Sequence, residues 1–142
     1  RMMPLLNTLI NKDFSLFGFP EWHQLAKTQE DIFIHNTYIY SSFYLDYSNP
    51  DIRRFFRTYT EAFGKETPKS LPHYNLLGYD ITFYFLSAIK NYGNAMEKHL
   101  SDLNVNIMQS KYLYEKVAEN GGYMNKGIFL LKYKDGKENK IK

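Results

Sequence analysis

Three short segments of the chain carry side chains that could hold a small ligand. The candidate binding residues are Glu21 and Trp22, Tyr44 and Asp46, and Tyr79 and Asp80. Trp22 could stack on a ligand while Glu21 pairs with an amine, and the other two pairs are residue types suited to lining a cleft. Each pair also has a structural alternative. Trp22 could pack a loop onto a sheet, the second pair could lie in a tyrosine-rich surface loop, and Asp80 could cap a helix.

Chemistry other than binding has little support in the sequence. No histidine has a partner at the HxxxH or HxxE spacing of metal sites; the four are His23, His35, His73 and His99. The chain contains no Gly-x-Ser-x-Gly elbow, no cysteine nucleophile and no phosphate-binding glycine loop. We therefore predict that the chain is not an enzyme and binds neither a metal nor a cofactor.

Length and composition indicate a single globular α/β domain over residues 1–142. Hydrophobic residues make up 44% of the chain, and the 13 Tyr and 11 Phe suit clefts and interfaces as well as cores. The net charge of +3 comes largely from a mixed-sign C-terminal tail, which is typical of a solvated edge, so no nucleic-acid partner is predicted. Without cysteine there is no disulfide framework.

No segment of the sequence has the features of a membrane span or a leader. No run approaches the ~18 apolar residues that cross a bilayer, and no signal peptide is recognisable. The chain opens Arg1-Met2-Met3-Pro4 and enters a core-like pattern at once. We interpret it as a piece cut from a longer protein.

Periodicity predicts alternating helices and strands. Helices are expected at 3–11, 23–31, 49–64, 78–92 and 95–103. Strands are expected at 14–19, within 32–44 as one strand or two short ones centred on 37–43, and at 111–117, 127–133 and 137–141. Alternation of this kind predicts a three-layer arrangement, with a mainly parallel sheet, helices on both faces and a C-terminal β-hairpin. Ligands of such sheets bind beyond the carboxyl ends of the strands, where the candidate residues fall.

Two of the predicted helices have informative ends. The first carries Asn49 as its cap, Pro50 at its first position and Gly64 as its stop. The second is expected to begin at Gly78 and is apolar nearly all round, so we expect it to be buried. Its free amides could then receive a ligand carboxylate beside Asp80.

Several pieces of the chain, in order, resemble the C-terminal half of a type 1 periplasmic binding protein. They are residues 17–22 (FGFPEW), 40–46 (YSSFYLD), 55–64 (FFRTYTEAFG), 78–80 (GYD), 109–110 (QS) and 121–125 (GGYMN). This is the fold of branched-chain amino-acid receptors. The sequence is most similar to Bacteroidetes substrate-binding-like proteins, some of which carry a LysM domain. It is less than half the usual receptor length, and nothing in it matches a LysM repeat.

The resemblance implies a function. Two α/β lobes would close on an amino acid, a short peptide or a cell-wall fragment, and an ABC-type membrane transporter would read the closed state. Trp22, Tyr44, Asp46, Tyr79 and Asp80 would line this lobe's half of the cleft. The resemblance also implies a periplasmic or envelope location, with a lipoprotein anchor or peptidoglycan as further partners.

Two other functions remain open from the sequence. The first is an envelope interaction module that keeps the receptor fold without the pocket, since fold does not determine function. The second is an enzyme of unknown type. Isolated lobes expose apolar surface, so a homodimer would also be consistent with the sequence.

Overall fold

The computed structural model describes residues 5, 8–9, 12, 14–22, 30–67 and 71–141. The chain divides into two compact units, one formed by Arg1–Ser42 with Ile128–Lys142 and the other by Phe43–Gly127. The elements in chain order are β1 (Ser15–Gly18), a 3-10 helix (Glu30–Phe33), β2 (Asn36–Ser41), α1 (Pro50–Phe63), α2 (Tyr74–Tyr92), a second 3-10 helix (Gly93–His99), β3 (Tyr114–Lys116), β4 (Tyr123–Asn125), β5 (Phe129–Lys134) and β6 (Lys137–Lys140). The predicted helices at 3–11 and 23–31 lie largely outside the described residues.

The first unit contains a four-stranded mixed sheet in the order β1-β2-β5-β6. The β1–β2 pair is parallel, whereas β2–β5 and β5–β6 are antiparallel. The prediction of a mainly parallel sheet is therefore wrong for the described strands. The antiparallel β2–β5 pair is the departure from the prediction. The β5–β6 pair has a local cause, because Asp135 and Gly136 both have positive φ and return the chain at once as a two-residue hairpin.

Alternate residues of the central strands are buried on one face of this sheet. Thr37 pairs with Tyr133 and Ile39 with Leu131, and all four side chains are buried. The ring of Phe33, from the first 3-10 helix, meets the ring of Tyr133 edge-on at 5.6 Å. The 3-10 helix therefore helps to cover the buried face of the mixed sheet.

The second unit contains α1, α2, the second 3-10 helix and a two-stranded hairpin. The hairpin joins β3 to β4 across residues 117–122, which contain the turn-forming residues Asn120-Gly121-Gly122. The predicted strand 111–117 is thus reduced to three residues and does not join the mixed sheet. The described residues of the second unit form two buried apolar clusters, one of Tyr84, Ala88, Leu100 and Leu103, the other of Leu45, Ile52 and Leu76.

Helix α1 confirms the predicted ends. The side-chain oxygen of Asn49 accepts a hydrogen bond from the amide of Asp51 at 2.9 Å, and Pro50 is the first helical residue. Gly64 adopts φ 64° and donates its amide to the carbonyl of Thr60 at 2.8 Å. Both caps depend on neighbouring residues, which is why the sequence predicted them correctly.

Helix α2 differs from the prediction in its start and its burial. It begins at Tyr74, so residues 78–80 lie in its second turn and present no free helix-end amides. Only Leu76, Asp80, Tyr84 and Ala88 are buried, at i, i+4 spacing on one face. The prediction of a helix buried all round is therefore wrong, because residues on other faces are exposed, among them Ile81, Phe83, Leu86 and Ile89.

Within the described part of the chain, no helix combines the length and the apolar character needed to cross a membrane.

Candidate ligand groove

A buried carboxylate anchors the loop between the second 3-10 helix and β3. Asp80 is fully buried, and its two oxygens accept the backbone amides of Met108 at 2.7 Å, Gln109 at 2.9 Å and Ser110 at 2.8 Å. A buried carboxylate is stable only when such bonds replace its hydration. In this structure Asp80 is fully buried and holds a loop, which is a structural role; its predicted contact with a ligand stays a prediction.

The anchored loop in turn fixes the residue that precedes α2. The side chain of Gln109 accepts the backbone amide of His73 at 3.1 Å and donates to the carbonyl of the same residue at 2.7 Å. The carbonyl of Gln109 accepts the backbone amide of Tyr44 at 2.9 Å. One buried glutamine thus joins three segments that are distant in sequence.

The imidazole of His73 is buried and faces a small set of polar and aromatic groups. Its Nε2 lies 2.9 Å from the hydroxyl of Tyr47, at hydrogen-bond distance. The ring of Phe56 lies 5.2 Å from the imidazole and 6.3 Å from the ring of Tyr47, nearly parallel to the latter. These three rings form a preorganised wall beside α1.

The wall borders a groove of about 470 Å³ in the second unit. Its lining residues are Tyr47, Phe56, Arg57, Thr60, Glu61, Glu66, Thr67 and His73. The volume lies in the range of small-molecule sites, and aromatic surface with a few polar groups is their usual composition. Arg57 and Glu61 are both exposed at the rim, with Nε and Oε1 3.9 Å apart. The groove can therefore offer a ligand a ring face, a guanidinium and two carboxylates.

The six residues predicted from sequence do not line this groove. Tyr44 and Asp46 lie just before Tyr47 in the chain. Asp46 stabilises the turn that leads into α1. Its side-chain carboxylate accepts hydrogen bonds from the backbone amide of Ser48 at 2.9 Å and from the hydroxyl of Ser48 at 2.6 Å. The ring of Tyr79 packs edge-on against Phe55 at 5.5 Å. Tyr79 also lines a smaller cavity of about 310 Å³ in the second unit. The predicted ligand contacts of these residues stay predictions.

Glu21 and Trp22 belong to the other unit. The indole of Trp22 packs directly on the backbone of Gly18, where a Cβ atom would overlap the ring. This is the structural alternative considered for Trp22 in the sequence. Glu21 is exposed beside it. Their ligand contacts likewise stay predictions.

Sequence reasoning missed most of the groove. Tyr47 directly follows the predicted pair Tyr44 and Asp46, but His73 is one of four histidines without a metal-site partner, and Phe56 lies in a predicted helix with no ligand role assigned to it. No spacing rule joins residues 47, 56 and 73. The one signal in the sequence that pointed to this groove was the concentration of polar and aromatic residues in the segments that precede and follow α1 along the chain.

Three tyrosines form a cluster in the second unit: Tyr84, Tyr112 and Tyr114, with ring centroids 4.8, 5.6 and 5.9 Å apart. Burial, followed by the charges of Tyr114 and Tyr112, raises the pKa of Tyr84 to about 12. The hydroxyl of Tyr84 donates to the carbonyl of Leu100 at 2.6 Å. These phenols are neutral at physiological pH and act as packing groups. Among the described residues, no group of three His, Cys, Asp or Glu side chains could hold a metal ion.

Comparison with known proteins gives one similarity. No protein-family model and no curated protein matches the sequence. Among solved structures, the leucine-binding protein LivK of Thermotoga maritima is similar, with 20% sequence identity and a TM-score of 0.43. The similarity covers 95% of this chain and 38% of the leucine-binding protein, so this chain spans well under half of that protein's length. At this TM-score, neither fold nor function is transferred from that protein.

Proposed function

We propose that this chain is a binding module for a small polar solute, such as an amino acid, a short peptide or a cell-wall fragment, and that its role is binding and not catalysis. The observation that carries the proposal is the groove beside α1. Its volume of about 470 Å³ admits a ligand of this size. Its lining combines aromatic surface with both signs of charge, as recognition of a polar solute requires.

Preorganisation of the groove supports the proposal. The Tyr47 hydroxyl is held at the imidazole of His73, whose backbone is held in turn by Gln109. Groups that are already ordered before binding lose little conformational entropy when a ligand arrives. A site of this kind suits reversible binding by a receptor.

The finer parts of the proposal come from the resemblance of the sequence to type 1 periplasmic binding proteins. We propose an extracytoplasmic location and a role within a larger receptor. A membrane transporter would respond to that receptor, and a lipid anchor would hold it at the envelope. These proposals concern the longer protein of which this chain would be one lobe.

The test is a thermal-shift screen of the 142-residue chain against amino acids, short peptides and muropeptides. A ligand present at 100 times its dissociation constant should stabilise the folded state by about 2.7 kcal/mol. Thr60→Trp, which places an indole in the groove, should abolish the shift. Thr58→Trp adds the same ring on α1 at an exposed residue outside the groove lining and should leave the shift intact.

Two results would contradict the proposal. One is a well-folded chain that no member of the panel stabilises. The other is a ligand whose effect survives Thr60→Trp, which would show that binding occurs elsewhere.

A second candidate function is a protein-interaction module of the envelope. It is favoured by a continuous ladder of five rings across α1 and α2, which runs Phe63, Tyr59, Phe55, Tyr79 and Phe83 with successive centroids 4.7, 6.2, 5.5 and 5.7 Å apart. Phe63, Tyr79 and Phe83 are exposed, and aromatic residues are enriched in protein interfaces. Sedimentation of the chain, alone and with peptidoglycan, tests this function. Phe83→Ser should weaken any association.

A further inference from the structure

We infer that the groove beside α1 selects ligands that carry a positively charged nitrogen, as an ammonium or guanidinium group. The inference rests on the proposed function, because it names the ligand class of the same groove. Two features of the groove support it: the charged side chains of the lining and the aromatic rings of Tyr47 and Phe56.

The charges that line the groove leave an excess of negative charge. Among the described residues of its lining, Glu61 and Glu66 contribute two carboxylates, and Arg57 contributes one guanidinium. The Arg57–Glu61 pair is long, at 3.9 Å, and exposed, so it is weak and screened by salt. A ligand cation can therefore compete for Glu61. Within the described residues, no ion pair involves Glu66.

The aromatic wall of the groove also favours a positively charged ligand. The rings of Tyr47 and Phe56 lie nearly parallel, with an interplanar angle of 19°. Aromatic faces carry partial negative charge and attract ammonium and guanidinium groups within about 6 Å of the ring centroid. A cation in the groove would therefore gain contacts with ring faces and with carboxylates, and both kinds of contact favour positive charge.

An anionic ligand fits this groove poorly. Its contact with the charged side chain of Arg57 would be opposed by two carboxylates of its own sign. A neutral ligand would gain the ring contacts without the charge. The charge of the ligand is therefore the property that this groove should discriminate most strongly.

Matched probes test the inference with the whole chain. Choline and 3,3-dimethylbutan-1-ol have the same shape and differ by one positive charge, and n-butylammonium and glutarate extend the comparison to a primary amine and an anion. Titration calorimetry should show choline binding at least about tenfold tighter than its neutral isostere, with the difference shrinking as salt rises.

Variants locate the effect in the groove. The double variant Glu61→Gln with Glu66→Gln should bring the affinities for choline and its isostere together. Glu97→Gln with Glu119→Gln removes two exposed carboxylates outside the groove lining and should preserve the difference. Circular dichroism and thermal unfolding of each variant establish that the fold is intact.

The outcomes separate this inference from the proposed function. Equal affinity for choline and its isostere, tighter binding of glutarate, or failure of both cations at millimolar concentration would overturn the preference for positive charge. If members of the thermal-shift panel still stabilise the chain in a manner that Thr60→Trp abolishes, the solute-binding function stands without that preference. If nothing in either panel binds, both proposals are wrong.

Discussion

The carboxylate of Asp80 accepts the backbone amide of Gln109 at 2.9 Å, although 29 residues separate them along the chain. The same carboxylate also accepts hydrogen bonds from the backbone amides of Met108 and Ser110. Helix α2 therefore holds three consecutive residues of the loop through one side chain. Through Gln109 this anchor reaches the backbone of His73 and hence the groove. A buried residue outside the groove lining thus sets the geometry of the candidate site.

Asp80→Asn should destabilise the fold. The amide keeps one acceptor but turns an NH₂ group towards backbone donors, and the charge that strengthens these bonds is lost. We expect a decrease of roughly 2–4 kcal/mol in the free energy of unfolding, measured by urea titration. Asp102→Asn, an exposed residue paired only with His99 among the described ion pairs, should change stability by less than about 0.5 kcal/mol. Equal effects of the two substitutions would contradict the anchoring role.

Asn49→Ala should remove the cap of α1. The Asp51 amide would lose its side-chain acceptor, at a cost of about 1 kcal/mol in unfolding free energy. Asn49→Asp should retain stability, because a carboxylate caps as well and meets the positive end of the helix dipole. Urea unfolding of the three proteins measures both effects. An aspartate variant as unstable as the alanine variant would show that the side chain is not acting as a cap.

Two leucines of α2 should respond very differently to truncation. Leu76 is fully buried among Leu45 and Ile52, and Leu76→Ala should destabilise the chain by about 2–5 kcal/mol. Leu86 is 59% exposed, and Leu86→Ala should cost well under about 1 kcal/mol. Thermal unfolding distinguishes them. Similar losses at both positions would mean that the outer face of α2 is covered in solution.

Stability should fall at alkaline pH, in part because of Tyr84. Its pKa is about 12 in the folded chain against 10.0 for the unperturbed group. The contribution of the Tyr84 hydroxyl to the free energy of unfolding is fully present below about pH 10 and is lost as the pH rises towards about 12. The cause is that the phenol of Tyr84 loses its proton at a lower pH in the unfolded chain than in the folded chain. The unfolding free energy of Tyr84→Phe should decline less steeply over that window.

The same variant should also be less stable near neutral pH, by about 1 kcal/mol, because the hydrogen bond to the Leu100 carbonyl is lost. Tyr74→Phe, at a residue that is 76% exposed, serves as the control. Urea titrations at a series of alkaline pH values measure both effects. An unchanged slope in Tyr84→Phe would exclude this tyrosine as a source of the pH dependence.

Features that depend on neighbouring residues were predictable from the sequence alone. The two caps of α1 were predicted at Asn49 and Gly64, and strands were predicted on either side of the tight turn that the structure has at Asp135-Gly136. The cores of β1 and β2 also follow from short apolar and β-branched runs. In each case the physical cause acts over a few residues, through φ preference, a cap hydrogen bond or side-chain alternation.

Features that depend on distant partners were decided by the tertiary structure. Gly78 suggested a helix start, yet α2 begins at Tyr74 and passes through it, because packing on the Leu45–Ile52–Leu76 cluster outweighs the roughly 1 kcal/mol cost of a helical glycine. The sequence placed Asp80 on a cleft, whereas the loop amides at 108–110 bury it. The sequence determined local geometry and composition. The partners of Asp80, His73 and Tyr47 were decided only when the folded chain brought separate segments together, since no local preference specifies such contacts.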